Sequence, residues 1–280
     1  MSEQENWRGA VEMVRRAATA KGRARSGYFS IEGIRLHERA LRAGWQVETA
    51  VLGQPFGQEM SPRITALIQD LERISCQLVT VPDETIVELT DGRDLGAIIG
   101  LLQIPEPLVL EDVVARATEG APLLLVAADV RDPGNTGALM RTALAAGATA
   151  FIACGISDPY HPKAVRTSMG SLFKLPVLTV TNAQKLLANL AAMGIQSVGL
   201  AVDGDVSLAQ ADISESGAAV LVGSEAWGLT RETMEALDCL VSIPMRDGVD
   251  SYSVNAAAAI ALYELGRRRG MGQTGADSRS

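Results

Sequence analysis

Three glycine-rich stretches of this 280-residue chain place polar side chains beside positions where the backbone can turn tightly. The first is Asp129-Val-Arg-Asp-Pro-Gly-Asn-Thr-Gly-Ala-Leu-Met-Arg-Thr-Ala143, which follows an apolar run and opens a helix. Asn135 suits that helix's N-cap, because its side-chain oxygen can accept an orphan backbone N–H. Arg141 is a long cation among small apolar neighbours, so its guanidinium either snorkels to solvent or is aimed at an anion. The second stretch, Leu221-Val-Gly-Ser-Glu-Ala-Trp-Gly-Leu229, runs an apolar strand into a glycine turn. Gly223 permits close approach of a ligand to the backbone, and Glu225 can anchor a loop or accept hydrogen bonds. The third, Ile243-Pro-Met-Arg-Asp-Gly-Val-Asp-Ser-Tyr-Ser-Val-Asn-Ala-Ala-Ala-Ala259, joins a strand end to a polar loop and an alanine-rich helix. Ser251, Ser253 and Asn255 either cap that helix or line a site.

The elements that position these loops alternate between strand-like and helix-like patterns, the mark of an α/β architecture. Strands are expected at 28–32, 47–52, 77–81 and 97–103, with helices at 34–43, 62–74 and 84–89 between them. Ile104-Pro105-Glu106-Pro107 breaks any regular element. The second half reads as strands at 123–127, 150–153, 177–180, 197–202, 218–222 and 240–243, with helices at 136–146, 183–193, 231–237 and 253–269. If its strands are parallel, all three loops meet at the carboxyl edge of one sheet, where open α/β proteins bind ligands. A dinucleotide fold fails at its fingerprint, since the turn after 123–129 has no G-x-G-x-x-G.

Composition narrows the function further. Apolar residues make up 47% of the chain, enough for a buried core, and no run approaches the roughly 18 residues of a membrane span. The polar, charged start, MSEQENWRGA, does not read as a signal peptide. Cys76, Cys154 and Cys239 are far apart, which suits a reduced, cytoplasmic protein. With only His37 and His161 besides them, no metal site and no membrane partner is expected. The net charge of −8 argues against a nucleic-acid partner, but its distribution does not. Residues 1–45 carry nine Lys/Arg against five acids, and 160–175 carry Lys163, Arg166 and Lys174 with no acid.

In order and spacing the three stretches resemble the signature motifs of the SpoU/TrmH family of SPOUT-class RNA ribose methyltransferases. Asn135, Gly137, Arg141, Thr142 and Ala143 resemble its N-x-G-x-x-x-R-T-A; Gly223, Glu225 and Gly228 its G-x-E-x-x-G; Ile243–Met245 and Leu262–Glu264 its I-P-M and L-Y-E. Ser168-Met-Gly-Ser-Leu-Phe-Lys-Leu-Pro176 is similar to a further block of the family, and Gly27-Tyr-Phe-Ser-Ile-Glu-Gly33 resembles part of an L30e-like RNA-binding domain. In the third loop the family's S-L-N-V-S is here Ser251-Tyr-Ser-Val-Asn255, with asparagine and serine exchanged across one residue.

The resemblance implies an N-terminal L30e-like α/β RNA-binding domain at 1–105 and a trefoil-knotted SPOUT α/β domain at 118–269; the proline-rich break gives a linker at 106–117, and the small, polar end a disordered tail at 270–280. It implies a homodimer that binds S-adenosyl-L-methionine among the loops near Ala201, Gly223, Ile243 and Tyr252. The reaction would be methyl transfer to a ribose 2′-hydroxyl of structured RNA, 23S ribosomal RNA first and transfer RNA as the alternative. A non-catalytic RNA-binding or assembly factor that keeps the knot is the different class to weigh. Catalytic roles fall on Arg141, as a phosphate-holding group or a base, on Asn135 to orient it, on Glu225, and on Ser253 and Asn255.

Overall fold

The computed structural model describes residues 3–54, 61–93, 97–115, 117 and 121–269. The expected tail at 270–280 lies outside them. The described residues form two units, one running to Glu106 and including Tyr160–Lys174, the other made of Pro107–Pro159 and the residues from Leu175 onward.

The first unit opens with two helices that the sequence analysis did not name, α1 (Glu3–Ala17) and α2 (Ala20–Ser26). Val11, Val14 and Ala17 lie one helical turn apart and are all buried, which is why the charged segment folds onto the core. Then follow β1 (Tyr28–Glu32), α3 (Ile34–Arg42), β2 (Thr49–Gly53), α4 (Pro62–Arg73), β3 (Gln77–Val81), α5 (Asp83–Leu89) and β4 (Ile98–Gln103). Their sheet has the order β1-β4-β2-β3, antiparallel except for β2 against β3.

Residues 160–174 fold into this unit, although the sequence analysis assigned them to the second domain. Phe29 packs against Tyr160 and Trp45 against Phe173, with ring centroids 5.2 and 5.4 Å apart. The Trp45 Nε1–H donates to the Phe173 carbonyl at 3.0 Å, and Arg39 donates to that of Met169. Glu32, nearly buried, accepts from both Arg93 and Arg166 at 3.1–3.3 Å. Part of the basic N-terminal segment is thereby spent internally. Arg23 is only 3% exposed and donates to the Ala17 carbonyl, so it offers no surface for a partner.

The second unit begins with α6 (Leu110–Ala115) inside the expected linker; its Leu110 and Val113 are buried in this unit's core. The strands are β5 (Leu123–Ala128), β6 (Ala150–Cys154), β7 (Val177–Val180), β8 (Gln196–Leu200), β9 (Val206–Ser207), β10 (Ala218–Val222) and β11 (Cys239–Ser242). They pair only in parallel, in the order β7-β6-β5-β10-β8-β11-β9. Every residue of β5, β6 and β10 is buried, as the continuous apolar runs of a parallel sheet covered on both faces require. Helices α7 (Pro133–Ala145), α9 (Ala183–Ala192), α10 (Arg231–Glu235) and α11 (Val254–Arg268) connect or follow them, and α11 packs on α7. The remaining helix, α8 (Pro162–Thr167), belongs to the first unit.

Candidate active site

Because β5, β8, β10 and β11 are parallel neighbours, the loops after them leave the same edge of the sheet. A cavity of about 430 Å³ opens there, within the range of small-molecule sites. Leu200, Val222, Leu229, Val241 and Met234 supply aliphatic wall. Ala201, Gly223, Ile243 and Tyr252, the four residues expected to hold a cofactor, all line it, and so does Glu225. Glycine at 223 also serves the loop itself: a Cβ there would stand 2.0 Å from the Gly228 backbone, so only glycine lets the loop close.

The start of α7 also differs from expectation. Its N-cap is Asp132, whose Oδ1 accepts the Gly134 N–H at 2.9 Å, and Pro133 follows in the first turn. An aspartate followed by a proline is a helix-start signal in its own right. Asn135 therefore lies inside the first turn, with its side chain free for other work. Its Nδ2 donates to Glu225 Oε1 at 2.8 Å, and its Oδ1 accepts from Asn255 Nδ2 at 2.9 Å. Glu225 also accepts the backbone N–H groups of Arg131 and Asp132, each at 3.2 Å.

The order of donors in this relay follows from its charged end. A carboxylate only accepts, so Asn135 must turn its amide nitrogen to Glu225 and its oxygen to Asn255. Asn255 must then donate, and its own Oδ1 is buried with no partner among the described residues. Burial raises the pKa of Glu225, but the hydrogen bonds from Asn135 and from the backbone of Arg131 and Asp132 outweigh it, and the carboxyl lies below its ordinary range. An anion in front of the α7 N-terminus also meets the positive end of the helix dipole.

The structure thus unites Asn135, Glu225 and Asn255 from the three glycine-rich stretches. Ser253 is the N-cap of α11, its Oγ accepting the Ala256 N–H at 3.3 Å. Arg141 is exposed on α7 and has no hydrogen-bond or ion-pair partner among the described residues. Among the described residues no hydrogen bond links Asn135 to it; the Asn135 amide is bonded to Glu225 and Asn255. Trp227 and Ser251 line the cavity but were not singled out from sequence as cofactor residues. The exposed indole could have been suspected from its place in a glycine turn, where no apolar periodicity calls for a large ring.

Comparison with known proteins supplies the family. The profile described as the SpoU rRNA Methylase family matches residues 122–263, and one described as the MRM3-like substrate binding domain matches residues 10–94. The chain belongs to the SpoU rRNA methylase family. An uncharacterized tRNA/rRNA methyltransferase of Mycobacterium leprae is 34% identical over 238 residues, covering 82% of this chain and 74% of its own length. The 23S rRNA (guanosine-2′-O-)-methyltransferase RlmB of Vibrio vulnificus is 31% identical over 211 residues, covering 74% of this chain and 84% of its own. The crystal structure of the SpoU methyltransferase AviRb from Streptomyces viridochromogenes in complex with AdoMet superposes with a TM-score of 0.84 at 26% identity, covering 94% of this chain and 98% of that one. The fold is that of the SPOUT methyltransferases.

Proposed function

We propose that this protein transfers a methyl group from S-adenosyl-L-methionine to a ribose 2′-hydroxyl of structured RNA, with 23S ribosomal RNA as the substrate. The observation that carries the reading is the convergence of Ala201, Gly223, Ile243 and Tyr252 on one cavity beside the Glu225–Asn135–Asn255 relay. The Vibrio vulnificus relative is named as a 23S rRNA (guanosine-2′-O-)-methyltransferase, and an AdoMet-bound structure shares the fold.

The residues present fit the cofactor. The cavity has small-molecule dimensions, aliphatic walls for an adenine ring, and loop backbone at Ala201, Gly223 and Ile243 for its polar edges. Bound there, the cofactor would supply an electrophilic methyl on a sulfonium; its S–C bond would break as the ribose O–C bond forms, leaving a neutral thioether and releasing the hydroxyl proton. The protein's share is orientation of a weak nucleophile, where well-placed geometry alone lowers the barrier by several kcal/mol. Arg141 is the catalytic candidate, because a guanidinium with no partner among the described residues can hold an RNA phosphate and favour developing negative charge on the ribose oxygen. Glu225, Asn135 and Asn255 fix the loop between the cavity and α7, and Ser253 sets the start of α11 behind Tyr252.

A trefoil knot in the second unit, a homodimer and a cytoplasmic setting belong to the same proposal. The α7–α11 face presents Ala259, Thr142 and an outward Tyr263, 71% exposed, to a second copy. The three cysteines are unpaired thiols. The N-terminal domain at 1–105 supplies RNA affinity, through Lys21 and Arg25 of α2 rather than the buried Arg23. The test is tritium transfer from methyl-labelled S-adenosylmethionine to in vitro transcribed 23S ribosomal RNA, with mapping of the 2′-O-methyl position. Label in transfer RNA alone would reassign the substrate. No label in either RNA, from protein that binds the cofactor, would leave the non-catalytic class.

A further inference from the structure

Trp227 is 83% exposed, although a tryptophan is usually among the more buried side chains. It lies on the lining of the cofactor cavity, in the loop after β10. The loop that carries it is tightly built. Ser224 and Gly228 exchange backbone hydrogen bonds of 2.9 Å in both directions, and the Trp227 N–H donates to Ser224 Oγ at 3.3 Å. Gly228 takes φ +65°, a left-handed conformation that favours glycine, to close this turn. Glu225, two residues before the indole, is tied to Asn135 and to the backbone of Arg131 and Asp132. The ring is thus an apolar surface held out to solvent on a fixed backbone.

The other aromatic residues of this unit sharpen the point. Phe151 is buried in β6, whereas Tyr252, Tyr263 and Trp227 are all exposed, and Tyr252 shares the Trp227 cavity. Apart from Phe151 the core here is largely aliphatic side chains and alanine, and the indole is not part of it.

We propose that Trp227 is the stacking platform for an unpaired nucleobase of the RNA substrate. The proposal rests on the RNA methyltransferase reading above. Proteins read RNA mainly at nucleotides that leave the helical stack, and such bases settle on aromatic faces. Taking a base out of its stack costs a few kcal/mol, and a fixed indole beside the reaction cavity offsets that cost with little loss of side-chain entropy. The occupant is a base rather than the adenine of the cofactor: the cavity's aliphatic wall, with Val222, Leu229 and Val241 buried, suits the adenine, whereas the indole beside it is 83% exposed.

The test compares Trp227→Ala and Trp227→Phe with the parent. Affinity for in vitro transcribed 23S ribosomal RNA is measured by filter binding, that for S-adenosylmethionine by calorimetry, and oligomeric state by light scattering. Expected for Trp227→Ala is an RNA affinity about tenfold weaker, the scale of one lost stacking contact, with unchanged cofactor affinity and assembly. Trp227→Phe retains most of the RNA affinity, and RNA quenches an indole emission component that is missing from Trp227→Phe. Unchanged RNA affinity in Trp227→Ala overturns the proposal. Loss of cofactor affinity alone makes the indole a cofactor wall, and dissociation of the assembly makes it an interface residue; either result also overturns it. A parent protein that binds cofactor but no RNA removes the RNA reading, and the stacking proposal with it.

Discussion

The two units spend their polar and aromatic residues in opposite ways. In the first, rings turn inward: Phe29, Trp45, Tyr160 and Phe173 form one cluster, and Glu32, Arg93 and Arg166 form a largely enclosed ion group. In the second, an all-parallel sheet with every residue of β5, β6 and β10 buried supplies the core, and most aromatic residues face outward. The difference teaches that a parallel sheet, satisfied by its own backbone and covered on both faces, leaves the loops at its carboxyl edge free for chemistry. The mixed sheet of the first unit instead needs side-chain contacts between distant segments to hold residues 160–174.

The comparison breaks most readily at Glu32. Glu32→Ala removes the anion that Arg93 and Arg166 share, and the first unit should lose about 3 kcal/mol of stability, at the low end for a broken enclosed ion pair because both arginines keep some water and Arg93 keeps Asp91. Urea denaturation measures it. A loss below about 1 kcal/mol would mean that the aromatic cluster alone retains the 160–174 segment.

Arg141 tests the opposite property of the second unit, that its exposed side chains serve the reaction and not the fold. Arg141→Ala should leave thermal stability and cofactor binding unchanged and lower methyl transfer by about 100-fold or more, the scale of one well-placed electrostatic group. Arg141→Lys should not restore the rate, because a point charge does not replace the planar fork. Activity within a few-fold of the parent would make Arg141 a solvent-facing helix residue.

His37 sharpens the comparison through pH. It is fully buried in the first unit, and burial lowers its pKa to about 4, against the partial opposition of its hydrogen bond with the Gly33 carbonyl at 2.8 Å. The unfolded chain binds this proton near pH 6.5, so the folded state's advantage is complete above that value and is lost as pH falls toward 4. At pH 5 the loss should be about 2 kcal/mol. Urea titrations at pH 7.5 and 5.0 on the parent and on His37→Gln should show a smaller drop in the variant. Equal pH dependence would sink the assignment.

The smallest expected effect concerns the amide relay. Asn135→Ala and Asn255→Ala should each destabilise the second unit modestly, and the double variant should fall short of their sum by about 1 kcal/mol, as for groups in one hydrogen-bond network. Strict additivity would mean that the two amides act independently.

Much of this molecule was legible in its sequence. Continuous apolar runs such as Leu123–Ala128 and Ala218–Val222 announce buried strands, and helices with a period near 3.6 residues announce themselves likewise. The charged face of α1 obscured the buried stripe Val11, Val14 and Ala17, so that helix was missed although its signal is local. The convergence of the three glycine-rich loops followed once the strands were taken as parallel.

What the sequence determined by itself was the set of elements and the family motifs they carry, because those depend on neighbours within a few residues. Tertiary structure decided the rest. Asn135 is bonded to residues 90 and 120 positions away, and only that geometry turns a presumed cap into the middle of a relay. Arg166 finds Glu32 across 134 positions, which assigns residues 160–174 to the first unit against their place in the chain. Whether Arg23 lies inside and Trp227 outside is likewise a matter of what packs over each, a property that no local pattern of side chains carries.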